Sequence, residues 1–118
     1  MTIALDVPLI DQDQLELLRA ALDPDELRAM LAELPMAAEE GLAAIRTALL
    51  AGDLAQVRKA AHVLKGSSSS LGAGRLAELA RMIELDLTTP EEITAHLPLL
   101  SETIGVTTDE LSRVADRV

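Results

Sequence analysis

The chain has 118 residues, of which 49% are apolar and none is Phe, Tyr or Trp. This length suits one domain with a single core, and the dominance of the good helix formers Leu, Ala, Glu, Arg and Met favours an all-α protein. The net charge of −10 argues against nucleic acid as a partner, because phosphate contacts dominate that affinity. The absence of cysteine excludes disulfides and thiol chemistry. Because the chain lacks both a membrane-length apolar run and the basic start of a secretory signal, we expect a cytoplasmic protein.

The first residues predict a lead-in and a short helix. Residues 1–10 show no periodicity and contain Pro8, so we interpret them as an extended lead-in to a single domain over 11–118. Three leucines then share one face and predict a helix over about 12–22: Leu15, Leu18 and Leu22.

A second helix is predicted from the sequence DPDE at residues 23–26, which combines an Asp cap, Pro in the first helical position and Glu in the third. The helix extends to about residue 50, and Pro35 should kink it because proline removes a hydrogen bond from the ladder. Its predicted buried face is Leu27, Met30 or Leu31, Leu34, Ala38, Leu42, Ile45 and Leu49.

A third helix, capped by Asp53, contains the tract GSSSSLGAG at residues 66–74, whose composition is typical of a flexible linker. The inward positions nevertheless alternate in steps of three and four through the tract, a register that a linker has no reason to keep. We therefore predict that residues 67–70 form the last helical turn with Ser68 packed inward, and that Gly72 and Gly74 form the next turn. The inward positions are Leu54, Val57, Ala61, Leu64, Ser68 and Leu71.

The remaining pattern predicts a helix over about 74–87 and a last helix over about 98–117, after a helix-start signal, TTPEE, at residues 88–92. Four substantial helices with short connections predict an antiparallel four-helix bundle with a short accessory N-terminal helix.

His62 is predicted to be exposed. At about 100° per residue it lies roughly 130° from the core direction of the third helix. Lys65 stands one turn later on the same side, and Gly66 leaves the space beside the imidazole open. An exposed nucleophile with a cation in reach and no obstruction suits phosphoryl chemistry. A solvated surface histidine is the ordinary alternative, because a motif as short as HxxKG recurs by chance.

A longer pattern, over about 33 residues, consists of GD (52–53), AH (61–62), LKGSS (64–68), LGA (71–73), Leu76 and IE (83–84). In residue type and spacing it resembles the histidine-containing phosphotransfer (HPt) domain family. The chain lacks the aromatic residue common in the family's second helix, has Ala80 where a cysteine is frequent, and has a threonine-rich last helix. These departures affect packing and partner choice.

The resemblance implies a phosphorelay intermediate. His62 would accept a phosphoryl group from the phospho-aspartate of a receiver domain and pass it to another receiver aspartate. Lys65 would stabilise the transferring group, and Gly66 would permit approach. The receiver would supply Mg²⁺, and the chain would need no cofactor of its own. Residues expected to contact the partner are Arg58, Lys59, Val63 and Ser69.

The chain has no Gly-rich nucleotide loop, so we predict a phosphocarrier and not an enzyme with kinase activity. Its partners would be receiver domains of response regulators or of a hybrid sensor kinase, and it would be a monomer. Met1 and the lead-in favour a free-standing protein over a domain excised from a longer kinase.

The sequence leaves two alternative functions. The chain could be a non-catalytic adaptor that binds receivers without relaying phosphate, although a degenerate member would be expected to lose His62, Lys65 or Gly66. A metal-binding bundle is disfavoured because His62 and His96 are the only imidazoles and no Glu-x-x-His pair occurs. His96 is interpreted as a surface residue near a helix junction, and Glu84 as a structural partner, for instance of a bundle arginine.

Overall fold

The structure is a computed structural model that describes residues 6–118 of the chain. This part contains six α-helices, one π-helix and no strand, so the all-α prediction is confirmed. The bounds are α1 Gln12–Ala21, α2 Pro24–Leu31, α3 Leu34–Leu50, α4 Leu54–Ser70, α5 Gly74–Arg81, the π-helix Met82–Asp86, and α6 Pro90–Asp116.

The four-helix bundle prediction is also confirmed. Helix α4 packs between α3 and α5, and α6 closes the bundle by packing against α3 and α5 on the opposite side. Helix α2 packs on α6, and the accessory helix α1 contacts α2. Each bundle helix contributes fully buried aliphatic side chains to one core, for example Ile45, Leu64, Leu79 and Leu100.

Helix α4 runs through the serine tract as predicted. It ends at Ser70, and Ser68 is completely buried among apolar side chains. Gly72 then takes a φ of +79°, which an L-residue rarely adopts, and a Cβ there would lie 3.2 Å from Leu15. The small residues therefore serve a sharp turn between two closely packed helices, and the linker interpretation is excluded.

The predicted second helix is two helices. The chain turns at residues 32–33, and Pro35 lies in the first turn of α3, where a proline costs no intrahelical hydrogen bond. Pro35 therefore starts a helix and does not kink one. The predicted buried face is otherwise correct, with Leu27, Leu31 and the α3 positions in the core and Leu49 half-buried.

The last helix begins at Pro90 and not near residue 98, so its predicted start was wrong. Pro98 and Gly105 both lie inside the continuous helix α6. The helix tolerates Pro98 because this residue lies on the exposed outer face. Thr94, whose carbonyl loses its amide partner, is exposed on the same face. Burial of the apolar residues on both sides compensates for that loss. His96 consequently lies within the helix, with Nδ1 2.9 Å from the main-chain oxygen of Glu92.

The start of α6 is stabilised by a reciprocal cap, in which Thr89 Oγ1 accepts from the Glu92 amide and Glu92 Oε1 accepts from the Thr89 amide, both at 3.1 Å. We expect Thr89→Ala to lower the free energy of unfolding by about 1 kcal/mol in urea denaturation. Thr89→Ser should keep most of the cap, and Thr47→Ala, on the exposed face of α3, should cost nothing. Equal losses in Thr89→Ala and Thr47→Ala would contradict a capping role.

Part of the predicted lead-in is held on the turn between α4 and α5. Arg75 Nε donates to the main-chain oxygen of Val7 at 2.9 Å, the Asp11 amide donates to that of Gly72 at 2.8 Å, and Ile10 is buried. Residues 1–5 of the lead-in lie outside the described residues. Within residues 6–118, none of the helices is long and apolar enough to cross a membrane.

Candidate functional site

His62 lies on the outer face of α4, as the helical geometry predicts, with 65% of its side chain exposed. The inward positions one residue before and two after it, Ala61 and Leu64, are buried in the core. The fold therefore presents the imidazole to an approaching molecule from a well-packed helix.

Glu84 joins His62 to Lys65. Its Oε2 lies 2.7 Å from His62 Nδ1, and its Oε1 lies 2.8 Å from Lys65 Nζ. The Glu84 side chain is only 16% exposed and Lys65 is 30% exposed, so the ion pair is partly shielded from water. One carboxylate thus holds both residues that the sequence singled out.

The contact with Glu84 determines which ring nitrogen of neutral His62 is available. A carboxylate only accepts hydrogen bonds, so Nδ1 must carry the proton that it donates to Oε2. In that tautomer Nε2 has the free lone pair, and it has no hydrogen-bond partner among residues 6–118. Nε2 is therefore the ring nitrogen of neutral His62 whose lone pair is available.

The neighbouring cation and ring lower the pKa of the Glu84 carboxyl, Lys65 contributing most and His62 next, while burial opposes them. A folded-state pKa below the ordinary value means that this carboxylate stabilises the fold above that value and loses the effect as the pH falls through the folded pKa. We expect Lys65→Ala to raise the Glu84 pKa, as followed by carbon-13 NMR of its carboxyl.

The same linkage has a consequence for unfolding. Wild-type stability should fall more steeply than that of Glu84→Gln on acidification below the ordinary glutamate pKa. An unchanged Glu84 titration in Lys65→Ala would contradict the ion pair in solution.

Gly66 is exposed one turn after His62, and a Cβ built on it meets no atom within 4 Å. Its φ is not positive, so neither backbone conformation nor internal packing requires a glycine there. A mid-helix glycine costs about 1 kcal/mol relative to alanine. The open space is thus maintained at some cost to the helix, as expected if another molecule must approach the imidazole.

Two grooves flank His62. One, of about 440 Å³, runs between α3 and α4 and is bordered by Lys59 and Val63, the latter 62% exposed. The other, of about 510 Å³, lies between the lead-in, α4 and α5 and is bordered by Lys65 and Ser69. The three predicted partner residues Lys59, Val63 and Ser69 are all exposed. The fourth, Arg58, is half-buried and donates to the main-chain oxygen of Glu84 at 2.8 Å.

The basic segment around His62, which has a net charge of +4 over residues 54–83 of the sequence, is partly neutralised in the fold by two sets of ion pairs. Lys65 pairs with Glu84, and Arg81 pairs with Glu78 and Asp86 at 2.8 and 2.9 Å. Glu84 and Asp86 lie just past the end of that segment. Among its basic residues, Lys59 makes neither an ion pair nor a side-chain hydrogen bond within the described residues, so its exposed ammonium is free to contact another molecule.

Glu84 was expected from the sequence to be a structural partner of an arginine and not a member of the site. Its carboxylate instead contacts His62 and Lys65, and the arginine, Arg58, binds only the main-chain oxygen. A usable signal was present. His62 lies nine residues before the turn at Leu71 and Glu84 lies ten residues after Gly74. At about 1.5 Å per residue, antiparallel helices joined by a short turn bring these positions to the same height.

Comparisons with known proteins identify this arrangement. The family model of the Hpt domain matches residues 29–117, so the chain belongs to the Hpt domain family. Among solved structures, it is similar to the histidine-containing phosphotransfer protein B (HptB) from Pseudomonas aeruginosa PAO1, with 26% sequence identity and a TM-score of 0.84. That match covers 94% of this chain and 97% of the other. A search of curated proteins found no match.

The protein is therefore a phosphocarrier with a histidine phosphotransfer role in the phosphorelays of two-component signalling. Domains of this family interact with receiver domains or kinases. The functional prediction made from the sequence is confirmed at this level.

Proposed function

We propose that His62 is the phosphoryl acceptor and donor of this protein, and that it acts through Nε2. The observation that supports this most strongly is the contact of 2.7 Å between Nδ1 and Glu84 Oε2, which leaves Nε2 as the free nucleophile on an exposed ring. His96, the other histidine, has its Nδ1 on a main-chain oxygen of its own helix, and within residues 6–118 no lysine or glutamate side chain is bound to it.

In the proposed step, Nε2 of neutral His62 attacks the phosphorus of a receiver phospho-aspartate. The N–P bond forms as the P–O bond to the aspartate breaks, and the aspartate leaves as a carboxylate. No proton moves, since Nδ1 keeps its hydrogen. The ring then carries a substituent on both nitrogens and a positive charge, which the Glu84 carboxylate stabilises at short range. The return step, to a second receiver aspartate, runs the same way in reverse.

We propose that Lys65, besides pairing with Glu84, stabilises the phosphoryl group during transfer. Its ammonium, 2.8 Å from Glu84 Oε1, lies on a flexible side chain one turn after His62 and can rotate to a phosphoryl oxygen. A cation at that point stabilises the negative charge of the transferring group. We assign Mg²⁺ to the receiver, because within residues 6–118 no three His, Asp or Glu side chains converge to hold a metal.

We also propose that the partner is a receiver domain that docks over α4 and the groove between α3 and α4. The groove is bordered by the exposed apolar side chain of Val63 and by Lys59, a cation that has no ion-pair partner in the described part of the chain. Ser69 would contact the same partner from the other side of His62. The monomeric state and the cytoplasmic location expected from the sequence complete the proposal.

The test is phosphoryl transfer from a panel of Mg²⁺-loaded, phosphorylated receiver domains, with the product analysed by mass spectrometry near neutral or alkaline pH. Acid-labile phosphate on the peptide that contains His62 supports the proposal and names a partner. Receivers that bind but leave no phosphate on His62 would indicate the adaptor function instead.

Lys65→Ala should slow transfer at saturating receiver by about ten- to a hundredfold, as expected for loss of a charge-stabilising group, and should change receiver affinity much less. Single-turnover kinetics at several receiver concentrations separate the two quantities. Lys59→Ala is the matched control, which should weaken binding with little effect on the saturated rate. Equal effects of Lys65→Ala on both quantities would make Lys65 a docking residue.

A further inference from the structure

The half-buried guanidinium of Arg58 contacts the main chain of Glu84, the residue whose carboxylate holds His62 and Lys65. It lies on α4 one turn before His62, and its NH1 donates to the main-chain oxygen of Glu84 at 2.8 Å. This hydrogen bond joins α4, which carries His62, to the main chain of Glu84.

The Glu84 oxygen is available to Arg58 because its usual main-chain donors are engaged elsewhere. In a continuing helix it would accept from the amide four or five residues later, of Thr88 or Thr89. Both of those amides donate instead to Glu92 Oε1, at 2.9 and 3.1 Å. The π-helix closes just before, where the Leu87 amide donates to the main-chain oxygen of Met82 at 2.9 Å. Arg58 therefore satisfies a carbonyl that the end of the π-helix leaves without a main-chain partner.

We propose that Arg58 is a positioning residue for phosphoryl acceptance, which rests on the proposed role of His62. The guanidinium fixes the main chain of Glu84 against α4. It thereby sets the position from which the Glu84 carboxylate contacts both His62 Nδ1 and Lys65 Nζ. A cation at the carbonyl end of a helix is also electrostatically favourable. Arg58 touches neither the imidazole nor the incoming phosphoryl group and acts only through Glu84.

This role differs from the partner contact that the sequence suggested for Arg58, and the neighbouring Lys59 allows the two to be separated. Lys59 carries the same charge, is exposed, and makes no contact with Glu84 within the described residues. A residue that docks the receiver should change the receiver concentration at half-saturation. A positioning residue should change the saturated rate and the state of the imidazole in the free protein.

The experiment compares Arg58→Ala, Arg58→Lys and Lys59→Ala with the wild type, after circular dichroism has shown equal helicity. Nitrogen-15 NMR of the ring reports the His62 tautomer in the unphosphorylated protein, and single-turnover transfer gives the saturated rate and half-saturation. For Arg58→Ala we expect less of the Nδ1–H tautomer, a saturated rate reduced roughly fivefold through loss of one hydrogen bond, and unchanged half-saturation. Arg58→Lys, which can still donate to the carbonyl, should recover most of both.

The opposite pattern would overturn the proposal. If Arg58→Ala leaves the ring signals and the saturated rate at wild-type values, or raises only the half-saturation concentration as Lys59→Ala should, Arg58 is not a positioning residue. Should Arg58→Ala not fold, Arg58→Met decides, since methionine keeps the aliphatic packing of the half-buried side chain but cannot donate to the Glu84 carbonyl, and it should shift the ring tautomer as Arg58→Ala would. The NMR comparison needs no phosphoryl transfer, so a failure of His62 as acceptor would be seen separately, in the wild type.

Discussion

His62→Gln abolishes phosphoryl acceptance while the protein stays folded: this is the largest effect we expect from a single substitution. Glutamine is similar in size and keeps an amide that can donate to Glu84, but it has no lone pair on nitrogen with which to attack phosphorus. The side chain is 65% exposed and contributes little to the core. The free energy of unfolding should therefore change by no more than about 0.5 kcal/mol.

The measurement is phosphate incorporation from a competent phosphorylated receiver, together with thermal unfolding followed by circular dichroism. His96→Gln is the matched control, because it removes the second imidazole from a half-exposed position on α6 and should leave acceptance intact. Residual acid-labile phosphate on His62→Gln would place the acceptor elsewhere. A large loss of stability would show that the imidazole contributes to packing, which its exposure contradicts.

The part of the site that lies on α4 could be predicted from the sequence because it depends on one helix. Once the inward register of Ala61, Leu64 and Ser68 is recognised, the 3.6-residue period fixes the outward direction of His62 and places Lys65 and Gly66 beside it. The same register identified the serine tract as helix against its linker-like composition. Local periodicity is sufficient wherever the neighbours of a residue lie within one turn.

Contacts between helices were not predicted, because local periodicity does not determine how two helices meet. The contacts of Glu84 and Arg58 depend on the height at which α4 and the π-helix meet, which the turn at Gly72 determines and hydrophobic periodicity does not. The net charge of +4 over residues 54–83 also overstates the positive charge of this surface in the fold. Glu84 and Asp86, which directly follow the segment, pair with Lys65 and Arg81. The start of α6 was missed because local rules do not include the burial that compensates for Pro98.

Gly66 gives the second large effect, since we expect Gly66→Gln to stabilise the protein and to impair its function. Glutamine is a better helix former than glycine, and a Cβ at this position meets no atom within 4 Å, so the free energy of unfolding should rise by up to about 1 kcal/mol. The new side chain, however, would occupy the open space one turn from His62 that a receiver must enter. Overpacking an interface costs about 1–3 kcal/mol, which corresponds to a loss of roughly ten- to a hundredfold in transfer at low receiver concentration.

Gly105→Gln is the control that separates the two effects. Gly105 is likewise exposed, helical and free of atoms within 4 Å of a built Cβ, but it lies on α6, which packs against α3 and α5 diagonally across the bundle from α4. Urea denaturation should show a similar gain in stability for both variants, and only Gly66→Gln should transfer phosphate slowly. Equal transfer rates would mean that the space beside His62 is not entered by the receiver. Equal gains with unequal rates would show that the glycine in α4 lowers helix stability in exchange for access to the histidine.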